Sequence, residues 1–168
     1  LPTSLVNALI ATEDIRFEEH SGIDLRSLLR AIASGGKKGG ASTLTQQLAK
    51  NLFHDRPSSK FERVIQKLKE WIISAKLERS YTKKEILTMY LNTVEFSDNA
   101  FGVKSASRTY FSKPVDSLNV EEAAVLVGML KAPYTFNPRL HPEKSQKRRN
   151  VVLMQMKNYD YLEPSIYD

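Results

Sequence analysis

SKFERVIQKLKEWIISA, residues 59–75, carries its apolar residues at one spacing: Phe61, Ile65, Leu68, Ile72 and Ala75 return every three or four positions. That is the repeat of a helix face, not of a strand, and Ser59 ahead of it is a residue type that caps helix N-termini. The spacing predicts a long helix whose apolar stripe enters the core. Lys60, Arg63, Lys67 and Glu70 recur at similar intervals on a different stripe, which sets one carboxylate among cations.

On either side of this segment the same period recurs and no alternating apolar/polar run long enough for a sheet interrupts it, so the chain is expected to be all-α. A first helix is read over Thr3 to Thr12. Asp24 is the expected N-cap of a second, with Leu25, Leu28, Leu29 and Ile32 on one face. The glycine-rich run at 34–40 reads as non-helical and mobile, and Ser42 after it as the cap of a helix reaching about Leu52. Asp55 to Ser59 reads as a turn. Thr82 with Glu85 forms a capping box for a helix ending near Leu91, and further helices are expected over Ala100–Phe111, Val120–Lys131 and Pro142–Met156. No repeat or linker divides the chain, so residues 1–168 are expected to form one domain.

Composition narrows the function classes. The 25 Lys and Arg exceed the 19 Asp and Glu by 6, which favours an anionic partner such as nucleic acid, phospholipid or pyrophosphate. Cysteine is absent, excluding disulfides and every cysteine-based metal or nucleophile site. The apolar stretch around Ala123–Leu130 falls far short of the ~20 residues that cross a bilayer. The opening Leu-Pro-Thr-Ser-Leu is neither an initiator Met nor a signal sequence, so the chain reads as a piece of something longer.

Several residues can carry chemistry, each with a plainer alternative. Glu13, followed by Phe17 and His20, is a carboxylate that partial desolvation could make a base, or a member of a helix-end salt bridge. Glu70 beside Lys67 and Lys69 is a second active carboxylate or part of a surface ion pair. Residues 39–47, Gly-Gly-Ala-Ser-Thr-Leu-Thr-Gln-Gln, followed by Lys50 and Asn51, put hydroxyls and backbone amides at a helix N-terminus, which suits a phosphate as well as an ordinary cap. The run is not a P-loop, because the Gly-Lys-Ser/Thr order is missing. His20, His54 and His141 lack metal-ligand spacing, and Trp71, Tyr90 and Phe111 are read as packing residues.

Taken together these pieces resemble the peptidoglycan glycosyltransferases of bifunctional penicillin-binding proteins and monofunctional transglycosylases. Ala11-Thr12-Glu13-Asp14 with Phe17, His20 and Gly22 is similar to the family's first motif, and residues 42–51, Ser-Thr-Leu-Thr-Gln-Gln-Leu-Ala-Lys-Asn, to its second. Lys67-Leu68-Lys69-Glu70 with Lys76-Leu77-Glu78 resembles the third. Tyr90-Leu91-Asn92, Phe101-Gly102-Val103 and Tyr110-Phe111 resemble the fourth. Glu122-Ala123-Ala124, Lys131-Ala132-Pro133, Asn137-Pro138 and Arg148-Arg149-Asn150 resemble the fifth, so the likeness covers essentially the whole chain.

The resemblance implies a lysozyme-like, mainly helical fold with a large lobe and a small membrane-proximal jaw. It implies an enzyme that polymerises lipid-linked disaccharide-peptide into β-1,4 glycan strands, with inversion and release of polyprenyl pyrophosphate. Glu13 would be the general base and Glu70 would assist on the donor side. Asp14, Phe17, Ser42, Thr43, Gln46, Gln47, Lys50, Asn51, Lys67 and Lys69 would bind substrate. A divalent ion, Mg²⁺ or Mn²⁺, would sit near Glu13, Asp14 and the pyrophosphate. The parent protein would work at the outer face of the bacterial cytoplasmic membrane, on an N-terminal anchor and with or without a transpeptidase domain, and would not bind nucleic acid.

Departures from the family pattern bear on details. Ala41 stands where a glycine is usual, Ser97 and Ser112 occupy positions often held by glycine, and Gln66 replaces a commonly basic residue. The 55–60 loop is longer than usual, leaving open which of Arg56, Lys60 and Arg63 takes the place of a pyrophosphate-facing arginine. Three rivals remain: a nucleic-acid-binding domain using Lys37-Lys38 and Arg148-Arg149, an inactive scaffold, and a glycoside hydrolase with two carboxylates across a cleft.

Overall fold

The structure is a computed structural model and describes residues 1–35, 40–53 and 58–162. Its regular elements are α1 (Thr3–Glu13), α2 (Leu25–Ala33), α3 (Leu44–Phe53), α4 (Lys60–Ser80), α5 (Lys83–Thr93), α6 (Val103–Phe111), α7 (Val120–Met129) and α8 (Pro142–Asn158). A single 3₁₀ turn, Val115–Ser117, joins α6 to α7. Among the described residues β-pairing is confined to one isolated bridge between Glu95 and Phe101. The expected all-α class is therefore what the chain adopts.

The helices gather into two compact units, Leu1–Ile15 with Leu91–Asp168, and Arg16–Tyr90. In the first, α1 packs on α7 and α8, and α7 packs along α8. Small residues permit the close approach: Ala8 and Ala11 on α1 and Ala123, Ala124 and Gly128 on α7 are all buried, flanked by Leu5, Leu9, Leu126, Val127 and Met129. Because α7 is apolar nearly all round, it can only be an interior helix. Its start is held by a complete capping box, Asn119 accepting from the Glu122 amide while Glu122 accepts from the Asn119 amide.

Two serines hold backbone that usually belongs to glycine. Ser112 ends α6 in the left-handed region at φ 54°, and Ser97, at φ 69°, opens a turn with Asp98 and Asn99, also left-handed. Both keep the turn where the sequence departs from the family's glycine. The Ser97–Asn99 turn is braced by fully buried Asn137, whose amide donates to Asp98 at 3.1 Å. Tyr110 donates to the Phe96 carbonyl at 2.7 Å, and burial together with the Asp98 charge pushes its hydroxyl up to about 12.

In the second unit α3 packs against α4. The outcome differs from the expectation in one important respect. The apolar stripe of α4 does not enter a core: Phe61 is 73% exposed, Leu68 51% and Ile72 59%, while the buried residues of the helix are Glu70 and Ser74. The same holds for α2, which buries no residue and leaves Leu25, Leu29 and Ile32 about two-thirds exposed, at 66%, 66% and 69%. Periodicity identifies which residues share a face; it does not say what covers that face.

The ends of the elements shift modestly. The N-cap of α3 is Thr43, whose hydroxyl accepts from the Gln46 amide at 3.2 Å, in place of Ser42. Helix α6 begins at Val103 and not Ala100, because Ala100 to Gly102 are used in the turn, where the Gly102 amide donates to the Val94 carbonyl. Asp24 caps α2 and Thr82 with Glu85 caps α5, as expected. Part of the glycine-rich run, residues 36–39, lies outside the described residues, as do His54 and Arg56.

Candidate active site

Glu13 is the last residue of α1, not a residue beyond it, and its side chain is 19% exposed. The helix ends there because Asp14 turns away at φ −158° and ψ 73°, its amide still donating to the Ile10 carbonyl. Asp14 itself is buried at 7%. The charge facing Glu13 comes from α8: Arg148 places Nη2 3.8 Å from Glu13 Oε1. Arg148 is a site residue that motif matching noted without a role, and its burial removes half of the Arg148-Arg149 pair from any nucleic-acid-binding surface. Lys37 and Lys38, the other half of that rival reading, fall outside the described residues.

The second carboxylate is built by α3 and α4. Glu70 is 8% exposed, and Lys67, one turn earlier, reaches its Oε2 at 2.9 Å. The same ammonium donates to Ser42 Oγ at 2.9 Å, so Ser42, Lys67 and Glu70 form one chain of contacts across two sequence motifs. Beside them a pocket of about 130 Å³ opens between α3 and α4, lined by Lys50, Phe53, Gln66, Lys69, Glu70 and Ile73 among others. Lys50, Lys69 and Glu70 were expected there. Gln66, Phe53 and Ile73 were not, although a polar residue four positions before Glu70 on the same helix necessarily points the same way.

Other expected contact residues have structural partners. Thr43 is 2% exposed and donates to the Gly22 carbonyl at 2.7 Å, which also accepts from Gln46 Nε2 at 3.2 Å. Gly22 itself, at φ 92°, lies so close to α4 that an added Cβ would meet the Ser74 carbonyl carbon at 2.9 Å. Phe17 has no exposed surface: its ring packs edge-on to His20 and under the Lys83 ammonium, 4.4 Å from the centroid. It therefore holds the loop after Glu13 in place and offers no face to a ligand. Lys83 completes the brace by donating to the His20 carbonyl and pairing with Glu78 at 2.8 Å, and Glu78 accepts from Thr45 at 2.6 Å.

Gln47 accepts from the buried Tyr90 hydroxyl at 3.0 Å, so Tyr90 packs as expected, whereas Trp71 and Phe111 are only half-buried. Asn51 is half-buried near the end of α3. Lys60 and Arg63 are exposed on the first turns of α4 and do not line the pocket. Near Asp24, burial pushes the carboxyl up. Hydrogen bonds from the Ser27 hydroxyl and amide and from the Arg16 guanidinium, Nη2 at 2.6 and 2.8 Å and Nε at 3.1 Å, outweigh that and hold it at about 2.

For a divalent ion the chain supplies little. Among the described residues no group of three or more carboxylate, histidine or cysteine side chains comes together, and Asp14 beside Glu13 is buried. The donor set does not fit a protein-built Mg²⁺ or Mn²⁺ site, which needs about six oxygens.

Within the first unit the packing of α1 and α8 holds the Glu13 carboxylate near a buried cation; within the second, α3 and α4 gather lysines, a hydroxyl and a second carboxylate around a small pocket, donors of the kind that suit a phosphate group. The family model described as transglycosylase matches residues 1–157. The chain is 45% identical over 168 residues to penicillin-binding protein 1F of Bacillus subtilis, covering 96% of this chain and 23% of that protein. It is 42% identical to penicillin-binding protein 1A of Aquifex aeolicus, covering all of this chain and again 23% of the relative. The crystal structure of penicillin-binding protein 1A from Haemophilus influenzae matches 53% of the chain and 13% of that protein, with TM-score 0.50 and 40% identity. The chain thus spans about a quarter of the curated relatives it matches, and it belongs to the transglycosylase family, the peptidoglycan glycosyltransferases whose motifs it carries.

Proposed function

We propose that this chain is a single glycosyltransferase domain that polymerises a lipid-linked disaccharide-peptide into β-1,4 glycan strands. Glu13 takes the proton of the sugar 4-hydroxyl as that oxygen attacks the anomeric carbon of the growing strand. The bond from that carbon to the polyprenyl pyrophosphate breaks, the leaving group departs with the electron pair, and the new link forms with inversion. Negative charge gathers on the pyrophosphate as it leaves, and fixed donors are the means of stabilising it. Lys50, Lys69 and Lys67 with Ser42 supply them, and Glu70 holds the Lys67 ammonium at 2.9 Å. Any divalent ion would take its ligands mainly from the pyrophosphate.

The observation that carries this reading is the meeting of Lys50, Lys69 and Glu70, from two motifs, on one pocket. The exposed apolar faces of α2 and α4 support a working position at a lipid surface, since large exposed apolar patches mark membrane or partner contacts. No described helix is long and apolar enough to cross a membrane; on the family resemblance, a spanning anchor and a transpeptidase domain would lie in a longer parent protein. On this reading the domain acts at the outer face of the cytoplasmic membrane.

The test is polymer formation from purified lipid-linked disaccharide in detergent by the full-length protein, with Glu13→Gln as the control. Gln keeps the shape and loses the proton acceptor, so polymer is expected from the wild type and only a small residual rate from the variant. Release of fragments from finished peptidoglycan without polymer growth would instead make the domain a hydrolase.

A further inference from the structure

Glu13 is faced at 3.8 Å by a cation that lies 135 positions away in sequence, Arg148, and the way that residue is held is unusual for a structural cation. The Arg148 side chain is only 12% exposed. Its Nε is buried without a hydrogen-bond partner, one of three such side-chain atoms among the described residues, and another, Thr12 Oγ1, belongs to the residue before Glu13. Buried polar atoms are normally satisfied, and the exceptions call for an explanation. Burial pushes the guanidinium down from its usual value, and the opposing influence is the charge of Glu13.

The stem of Arg148 is admitted by a notch. Gly128 on α7 lies so close that a Cβ there would meet Arg148 Cγ at 3.0 Å, and the Phe136 ring lies 6.0 Å from the guanidinium carbon. Both α7 and α8 pack on α1 as well as on each other, so the guanidinium is fixed by three helices' mutual packing. At 3.8 Å its contact with Glu13 is too long for a hydrogen bond and acts through charge.

We propose that Arg148 is a positioning residue for the reaction: a buried cation, admitted by Gly128, that orients the Glu13 carboxylate toward the attacking hydroxyl. This rests on Glu13 being the general base. Misplacing a reacting group by about 1 Å can cost on the order of a hundredfold in rate, which sets the scale of the effect. A residue that served only to join α8 to α1 would instead show itself in stability.

The experiment measures kcat and KM for the lipid-linked disaccharide, with melting temperature, in full-length Arg148→Met, Arg148→Lys, Glu13→Gln and the double variant Glu13→Gln with Arg148→Met. Arg148→Met is expected to lower kcat by about ten- to a hundredfold with KM within about twofold, and Arg148→Lys to recover part of that loss. In the Glu13→Gln background the Arg148 change should remove no further residual rate, because it acts through Glu13. A folded Arg148→Met with wild-type kcat overturns the proposal, as does a further rate loss in the Glu13→Gln background. Should Arg148→Met fail to fold, Arg148→Lys decides: a lowered kcat at unchanged KM and melting temperature supports positioning, and an unchanged kcat overturns it. A Glu13→Gln enzyme that still polymerises at wild-type rate would remove the general-base reading itself, whatever the Arg148 variants do.

Discussion

Replacing Gly22 by alanine is expected to disturb the pocket although Gly22 does not line it. Two costs follow from the structure. At φ 92° a side chain is strained by about 1–2 kcal/mol. The new Cβ would also lie 2.9 to 3.1 Å from the Ser74 carbonyl carbon, oxygen and Cβ, so the loop must back away from α4. Its carbonyl accepts from Thr43 and Gln46, and weakening those two buried bonds costs about 1 kcal/mol each. The stiffer unfolded chain returns about 0.4–1 kcal/mol. The net loss is therefore about 3 kcal/mol, a fall of roughly 6–12 °C in melting temperature for a domain of this size. Because Ser74 donates to the Glu70 carbonyl at 2.6 Å, the shift is transmitted to the turn that bears Glu70, and polymerisation should fall in the fraction that remains folded. Thermal denaturation with a polymer assay below the transition measures both effects. A loss under about 1 kcal/mol with unchanged rate would refute the claim that this close approach holds α3, α4 and the loop in register.

Lys50→Ala is expected to raise KM for the donor several-fold while leaving the melting temperature within a degree or two, since Lys50 is exposed and lines the pocket; a stable protein with unchanged KM would remove Lys50 from the donor site. The Asp24 carboxyl falls from 3.8 unfolded to about 2 folded, so its contribution of about 2 kcal/mol is complete above roughly pH 5 and is lost as pH drops through 2. Urea denaturation should show Asp24→Asn narrowing the stability difference between pH 6 and pH 2.5 by about 1–2 kcal/mol; equal pH dependence in the two proteins would contradict it. Ser112→Gly should stabilise by about 0.5–1 kcal/mol, because φ 54° strains serine more than the extra freedom of unfolded glycine costs; a lower melting temperature would show that Ser112 is held by contacts worth more than the strain.

The sequence by itself was enough for the features that depend on neighbours along the chain. The helical repeat of residues 59–75, the Asp24 cap and the Thr82–Glu85 capping box each involve groups within a few residues, and each was found where the pattern put it. The motifs naming Glu13, Lys50, Lys67, Lys69 and Glu70 were equally legible, because residue types and their order are what a motif records. What the tertiary structure decided was which face meets what. The apolar stripe of α4 remained exposed and the face bearing Glu70 and Ser74 was buried, since a helix's own period is blind to the other helices available to cover it. Phe17 and Thr43 turned out to brace their loop, Gln66 joined the pocket, and Arg148 reached Glu13 across the packing of α1, α7 and α8. Burial and charge pairing are set by atoms far apart in the chain, and only the folded packing brings those atoms together.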